Sequence, residues 1–224
     1  MGLVLASTAG VGLAAPSGEV SQPEEVLVDE VVAVVNKHVI TLSKVRQESA
    51  LILVERRGEE GLAHQITKAF MSQVLDFLIN QQVLLDEARR VKLPQVSDEE
   101  IRRLLSGFKA RFLDAETFAR FLFTHSMTED GIIEVLVRHL RVERLKESKV
   151  RSIPKLSEAA VRSYYEANQA RFGGADYQTV AEAIRHRLAG ERKDKELARW
   201  VWALRRRAEV KVLVEMAHVE GDAP

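Results

Sequence analysis

The chain has 224 residues, 46% of them apolar and 29% charged, enough to bury a core in one domain, or in one domain with a small lobe. Lys plus Arg and Asp plus Glu each number 33, so no global field recruits nucleic acid or anionic lipid. Cysteine is absent, which excludes disulfides, thiolate metal sites, a cysteine nucleophile and lipid attachment through an N-terminal cysteine.

Gly2 to Ala15 contains only Gly, Leu, Val, Ala, Ser and Thr. The run is shorter than the roughly 20 apolar residues of a membrane span, but it suits the apolar region of a secretory signal. Gly12-Leu13-Ala14 supplies the small residues of a cleavage site. No Lys or Arg follows Met1, so the usual positive start is missing and a true start upstream is expected. Residues 1–25 therefore read as a signal-like segment and the disordered start of an exported protein. Gly10-Val11-Gly12-Leu13-Ala14-Ala15 also fits a dinucleotide fingerprint, but Pro16, Ser17 and Gly18 stand where its helix should begin, and the motif works only between a strand and a helix.

Val31 to Val35 is β-branched and apolar, Asn36-Lys37-His38 is a turn, and Val39-Ile40 is a short returning strand. Thr41 or Ser43 is expected to cap a first helix running to about Arg57, ended by Gly58 and Gly61. A long helix is expected from Gln65 to about Lys92, with a wide apolar band that includes Phe70, Val74, Phe77, Leu78 and Leu85. Pro94 stops it. Ser97 and Glu100 form a capping box for the next helix. Asp114 caps a short helix, Thr128 starts another, and Ser152-Ile153-Pro154 breaks the chain.

Ser157 caps a helix that ends near Phe172, with Gly173-Gly174 behind it. Asp176 caps the last helix, which Gly190 is expected to weaken and which carries Trp200 and Trp202, one facing the core and one outward. Arg185 to Arg207 holds nine basic and three acidic residues, read as a solvated helix face. Val210 to Val214 closes the chain as a strand. Two lone β segments in a helical chain need edge partners, so the strand at about 31–35 should pair with the one at about 210–214. The predicted fold is mainly α: a helical body with a small β element joining its ends.

The residues carry little chemistry. The six histidines are scattered, with no i,i+4 pair and no H-E-x-x-H, and no G-x-S-x-G elbow or Walker loop occurs. No metal, cofactor or catalytic residue is expected. Phe108, Phe112, Phe118, Phe121, Phe123 and Met127 fall within twenty residues. Aromatic side chains dominate ordinary cores, yet the same six are candidates for an apolar crevice, because such side chains adapt to varied apolar partners.

The opening Val31-Ala33-Val34-Val35-Asn36 with Val39-Ile40-Thr41 resembles that of the SurA-type periplasmic chaperones. So do Leu75 to Ala88, Val96 to Ile101, Leu156 to Phe172, and Tyr177 to Val214, in that order. The resemblance implies a chaperone domain over 26–216, with 155–216 as its closing helices and strand and 217–224 as a tail. Members of the family often carry a parvulin-type prolyl isomerase domain of roughly a hundred residues between the last two pieces. Here only Gly173-Gly174-Ala175-Asp176 separates Phe172 from Tyr177, so isomerase activity is not carried over. The resemblance implies an ATP-independent periplasmic holdase for unfolded, chiefly outer-membrane, polypeptides, with no nucleic-acid partner and no stable membrane insertion. The alternatives are a prolyl isomerase with a divergent site and a non-catalytic assembly subunit for one partner.

Overall fold

The computed structural model describes residues 29–216; the signal-like reading of 1–25 and the tail 217–224 lie outside them. The described chain runs β1 (Val31–Val35), β2 (His38–Thr41), α1 (Leu42–Arg57), a 3-10 segment (Gly58–Ala63), α2 (Lys68–Arg90), α3 (Asp98–Lys109), α4 (Ala115–Thr124), α5 (Glu129–Arg151), α6 (Glu158–Ala167), a 3-10 turn (Gln169–Phe172), α7 (Tyr177–Arg205) and β3 (Val210–Val212). The fold is mainly α, with one small sheet.

That sheet has the order β2-β1-β3, and β1 pairs antiparallel with both neighbours. The first and last strands are therefore joined, as their unpaired edges required. The last strand is shorter than expected, ending at Val212, but the amides of Leu213 and Val214 both donate to the Val32 carbonyl. Two successive amides on one carbonyl have the geometry of a bulge at the end of β3, and a separate register shift between Val31 and Ala33 in the β1–β2 ladder breaks strict alternation there. Val32 and Ala33 are consequently both buried.

Asn36 fixes the junction. It occupies the left-handed region, with φ 55°, which Asn tolerates better than most residues. Its amide nitrogen donates to Asp86 of α2 at 2.6 Å, and its side-chain oxygen accepts from the Glu209 amide at 3.0 Å. Its own backbone N–H donates to the Glu209 carbonyl at 2.7 Å. One turn residue thus ties the hairpin to the central helix and to the approach of β3.

Helix starts follow local chemistry closely. Ser97 and Glu100 form the capping box, while Asp114, Thr128 and Ser157 each accept an orphan amide. Four expectations need correction. Asp176 holds the cap position of α7, but its side chain makes no capping bond. Thr41 is the cap residue of α1 but its hydroxyl makes no capping bond; the Asp29 carboxylate takes the Ser43 amide at 3.1 Å instead. The long helix starts at Lys68, where Thr67 accepts the Phe70 amide, and ends at Arg90, two residues before Lys92 turns left-handed at φ 53°. Gly190 does not interrupt α7, which runs unbroken for 29 residues; an absent Cβ costs a helix about 1 kcal/mol, too little to end one anchored on both sides.

Two apolar centres result. One gathers the sheet, the N-terminal part of α1 (Leu42, Val45), α2, the later part of α5 (Val142, Leu145) and Leu204. The other gathers Ala50, Leu51 and Val54 of α1, the rings of α3 and α4, and Ile132, Val135 and Leu136 of α5. Helices α1 and α5 therefore belong to both. Trp200 packs on the first centre while Trp202 stays exposed. Arg205 bolts α7 to α2 through Asn80 at 3.2 Å and Asp76 at 3.1 Å.

Because Asn36 supplies both a left-handed turn and two side-chain bonds, Asn36→Ala should cost about 2 kcal/mol. Asn36→Gly should cost less, since it restores the backbone freedom and loses only the bonds. Chemical denaturation of the three proteins ranks them.

Candidate client-binding surface

The aromatic series divides sharply. Phe108, Phe112, Phe118 and Phe121 are buried, with ring centroids 5.3–6.5 Å apart, in the edge and tilted arrangements that aromatic quadrupoles favour. They form the second apolar centre and mostly touch one another. Met127 is partly buried against it. Phe123 is 88% exposed. It lies two residues beyond Phe121, nearly the opposite side of the helix, so of the six it alone presents a full ring to solvent.

Between the two centres lies a buried ionic seam that the sequence reading missed. Glu48 of α1 is only 1% exposed, and His139 of α5 donates to it at 2.5 Å. The other ring nitrogen of His139 lies 3.7 Å from Glu55, about two helical turns further along α1. Arg138 approaches the second Glu48 oxygen at 3.6 Å, near enough for charge but not for a hydrogen bond, and that oxygen has none. Burial alone would lower the His139 pKa, but the hydrogen bonds and charges of Glu48 and Glu55 outweigh it and raise it to about 9. Burial and the neighbouring Arg138 charge push the Lys44 ammonium in the opposite direction, below its usual range.

Two hollows open along this seam, each of about 420 Å³. The first is walled by Ile52, Phe70, Val74, Phe77, His139 and Val142, from α1, α2 and α5. Phe77 is 37% exposed and meets the His139 ring nearly perpendicular, centroids 5.8 Å apart. The second hollow is walled by Leu104, Phe108, Leu136 and Leu140, with Arg103 and Arg111 at its polar edge. Glu55 lines both, so the hollows are neighbours on one face. Arg111 fastens that face by donating to the Glu55 backbone carbonyl at 2.6 Å. Each hollow is of ligand-pocket size, apolar inside with a few charges around it. Among the described residues no group of three or more His, Asp or Glu could hold a metal ion, and no helix is long and apolar enough to cross a membrane.

Tyr164 and Tyr165 sit elsewhere, packed with Phe172 and Tyr177 around the α6–α7 junction. The Tyr165 hydroxyl donates to the Ala175 carbonyl at 2.8 Å, which secures the four-residue turn 173–176. Gly173 and Gly174 occupy the left-handed region there, at φ 59° and 83°. The chain passes directly from one helical segment to the next.

The described residues thus form a helical body closed by its first and last strands, with two neighbouring apolar hollows. Residues 2–146 match the family described as the SurA-like N-terminal domain, and the chain belongs to that family, as its segment order suggested. Among solved structures eleven chains match. One comes from a study of the virulence factor PEB4 and the periplasmic protein Cj1289, described as two structurally related SurA-like chaperones of Campylobacter jejuni. It superposes with a TM-score of 0.52 over 83% of this chain and 99% of that one, at 12% identity, a likeness of fold. No curated protein matches.

Two outcomes follow from the geometry. Phe108→Ala should lower stability by about 3–5 kcal/mol, whereas Phe123→Ala should stay within about 0.5 kcal/mol; urea titration separates them. His139 contributes stability in full below about pH 6.5, and loses it progressively as pH rises to about 9, because its folded pKa is the higher. The stability gap between the native protein and His139→Gln should therefore shrink from about pH 6 to about pH 10.

Proposed function

We propose that this protein is an ATP-independent periplasmic chaperone that holds unfolded polypeptides, outer-membrane proteins among them, and leaves their bonds unchanged. The observation that carries this reading is the pair of adjacent apolar hollows sharing Glu55. Neighbouring side chains of an extended segment would enter Phe77's hollow on one side and Leu140's on the other. Charges around the openings (Glu55, Arg103, Arg111, Lys146) would stay hydrated beside a bound chain, keeping the grip weak and reversible. Phe123, exposed, and Met127, at the margin of the second apolar centre, would supply further apolar contact. The buried Phe108, Phe112, Phe118 and Phe121 serve this surface chiefly as its floor, Phe108 through the second hollow.

Family membership supports the chaperone role, and the direct passage from Phe172 to Tyr177 through four residues supports a reading without catalysis. The test is suppression of aggregation of a denatured outer-membrane protein without nucleotide. Near-stoichiometric protein should suppress it. Phe77→Ser combined with Leu140→Ser should weaken suppression at least several-fold while thermal unfolding moves little. Proline isomerisation of a test peptide should stay at its uncatalysed rate, tens to hundreds of seconds. No suppression at tenfold excess, or clear isomerase turnover, would overturn the proposal.

A further inference from the structure

The C-terminal part of α7 carries a surface that client holding does not use. Between Arg192 and Arg207 stand seven basic and two acidic residues, a local excess of positive charge in a chain whose 33 basic and 33 acidic residues balance overall. Lys195, Arg199, Trp202 and Arg206 are all exposed and follow one another at spacings of four, three and four, which aligns them along one side of the helix. The row extends about 16 Å at the rise of an α-helix.

The opposite side of α7 is committed to the body. Trp200, Val201 and Leu204 pack on the first apolar centre, and Arg205 is bonded to Asp76 and Asn80. The row itself faces solvent. Trp202 is 59% exposed, and the Arg206 guanidinium lies 4.8 Å from its ring centroid. Arg199 has Glu196 at 3.1 Å as its acidic neighbour, an exposed pair of the kind that yields readily to a stronger anion.

We propose that this row is a docking surface for an anionic phospholipid bilayer, with α7 lying flat on the headgroups. Charge complementarity gives the sign of the partner. The nature of the aromatic residue gives its kind. An interface with a folded protein needs a dry apolar centre of several side chains, and this row offers a single large one among three cations. A headgroup layer needs no such centre: indole settles at the boundary between water and lipid, and long basic side chains keep their charges among phosphates while their stems lie lower. This is contact with a surface, not insertion.

The experiment is co-sedimentation of the full chain with vesicles of phosphatidylglycerol mixed with phosphatidylcholine, and with phosphatidylcholine alone. Binding should require the anionic lipid and fall steeply with added salt. Arg199→Gln with Arg206→Gln should reduce partitioning about tenfold or more, while Arg120→Gln on α4, an exposed arginine outside both hollows, should leave it unchanged. Trp202 fluorescence should shift to the blue on anionic vesicles, and Trp202→Phe should abolish the shift, leaving only the packed Trp200. Thermal unfolding checks that each variant is folded, and aggregation suppression should persist in all of them. Equal binding to both vesicle types, or binding unaffected by the paired substitution, would overturn the proposal. So would a stronger preference, at equal salt, for polyglutamate or for a single-stranded oligonucleotide.

Discussion

Strand β1 has two hydrogen-bonding edges, and the architecture follows from how they are filled. One edge takes β2 through a two-residue turn, a local and inexpensive pairing. The other takes β3, about 175 residues later. Everything between must therefore be folded so that α7 ends beside the hairpin. Asn36 and Glu209 hold that meeting point from both sides, and Arg205 holds the helix that delivers it. A sheet of this size is not independently stable; it persists because α2 covers its apolar face. The sheet in turn gives α2 a fixed orientation against α1 and α5.

Within that frame the two apolar centres meet along α1 and α5, and the meeting line is polar. A buried ion pair seldom adds net stability, but an unpaired half of one is costly, about 3–5 kcal/mol. Glu48 and His139 therefore act as a key: any sliding of α5 along α1 would strand a charge. The pair lies where the two centres adjoin, and Ile66 packs against both of them. Glu55, also on α1, lines both hollows.

The helix boundaries were legible because caps are local. Ser97 with Glu100, Asp114, Thr128 and Ser157 announce starts within four residues. The closure of the sheet was legible by elimination, since two lone strands require each other. The seam was not, because Glu48 and His139 are 91 residues apart and neither is unusual alone. A signal did exist: Glu48 falls three residues after Val45 and three before Leu51, on the apolar side of α1, where an acid needs a partner. The aromatic series left core and crevice both open for a related reason. Spacing shows that Phe108, Phe112, Phe118 and Phe121 share apolar faces, but it cannot show that those faces turn toward each other. Phe77, absorbed into the apolar band of α2, gave no hint that its ring would stand at the edge of a hollow. Its ring meets that of His139, which only the tertiary fold brings there.

The central claim is that extended polypeptides occupy the two hollows beside the seam. A denatured outer-membrane protein carrying a photoreactive side chain, irradiated in complex and mapped by residue, tests this most directly. The account predicts adducts concentrated at Phe70, Phe77, Leu104 and Leu140, with few on α6. Adducts spread evenly over the surface, or gathered on α6 and absent from both hollows, would contradict it.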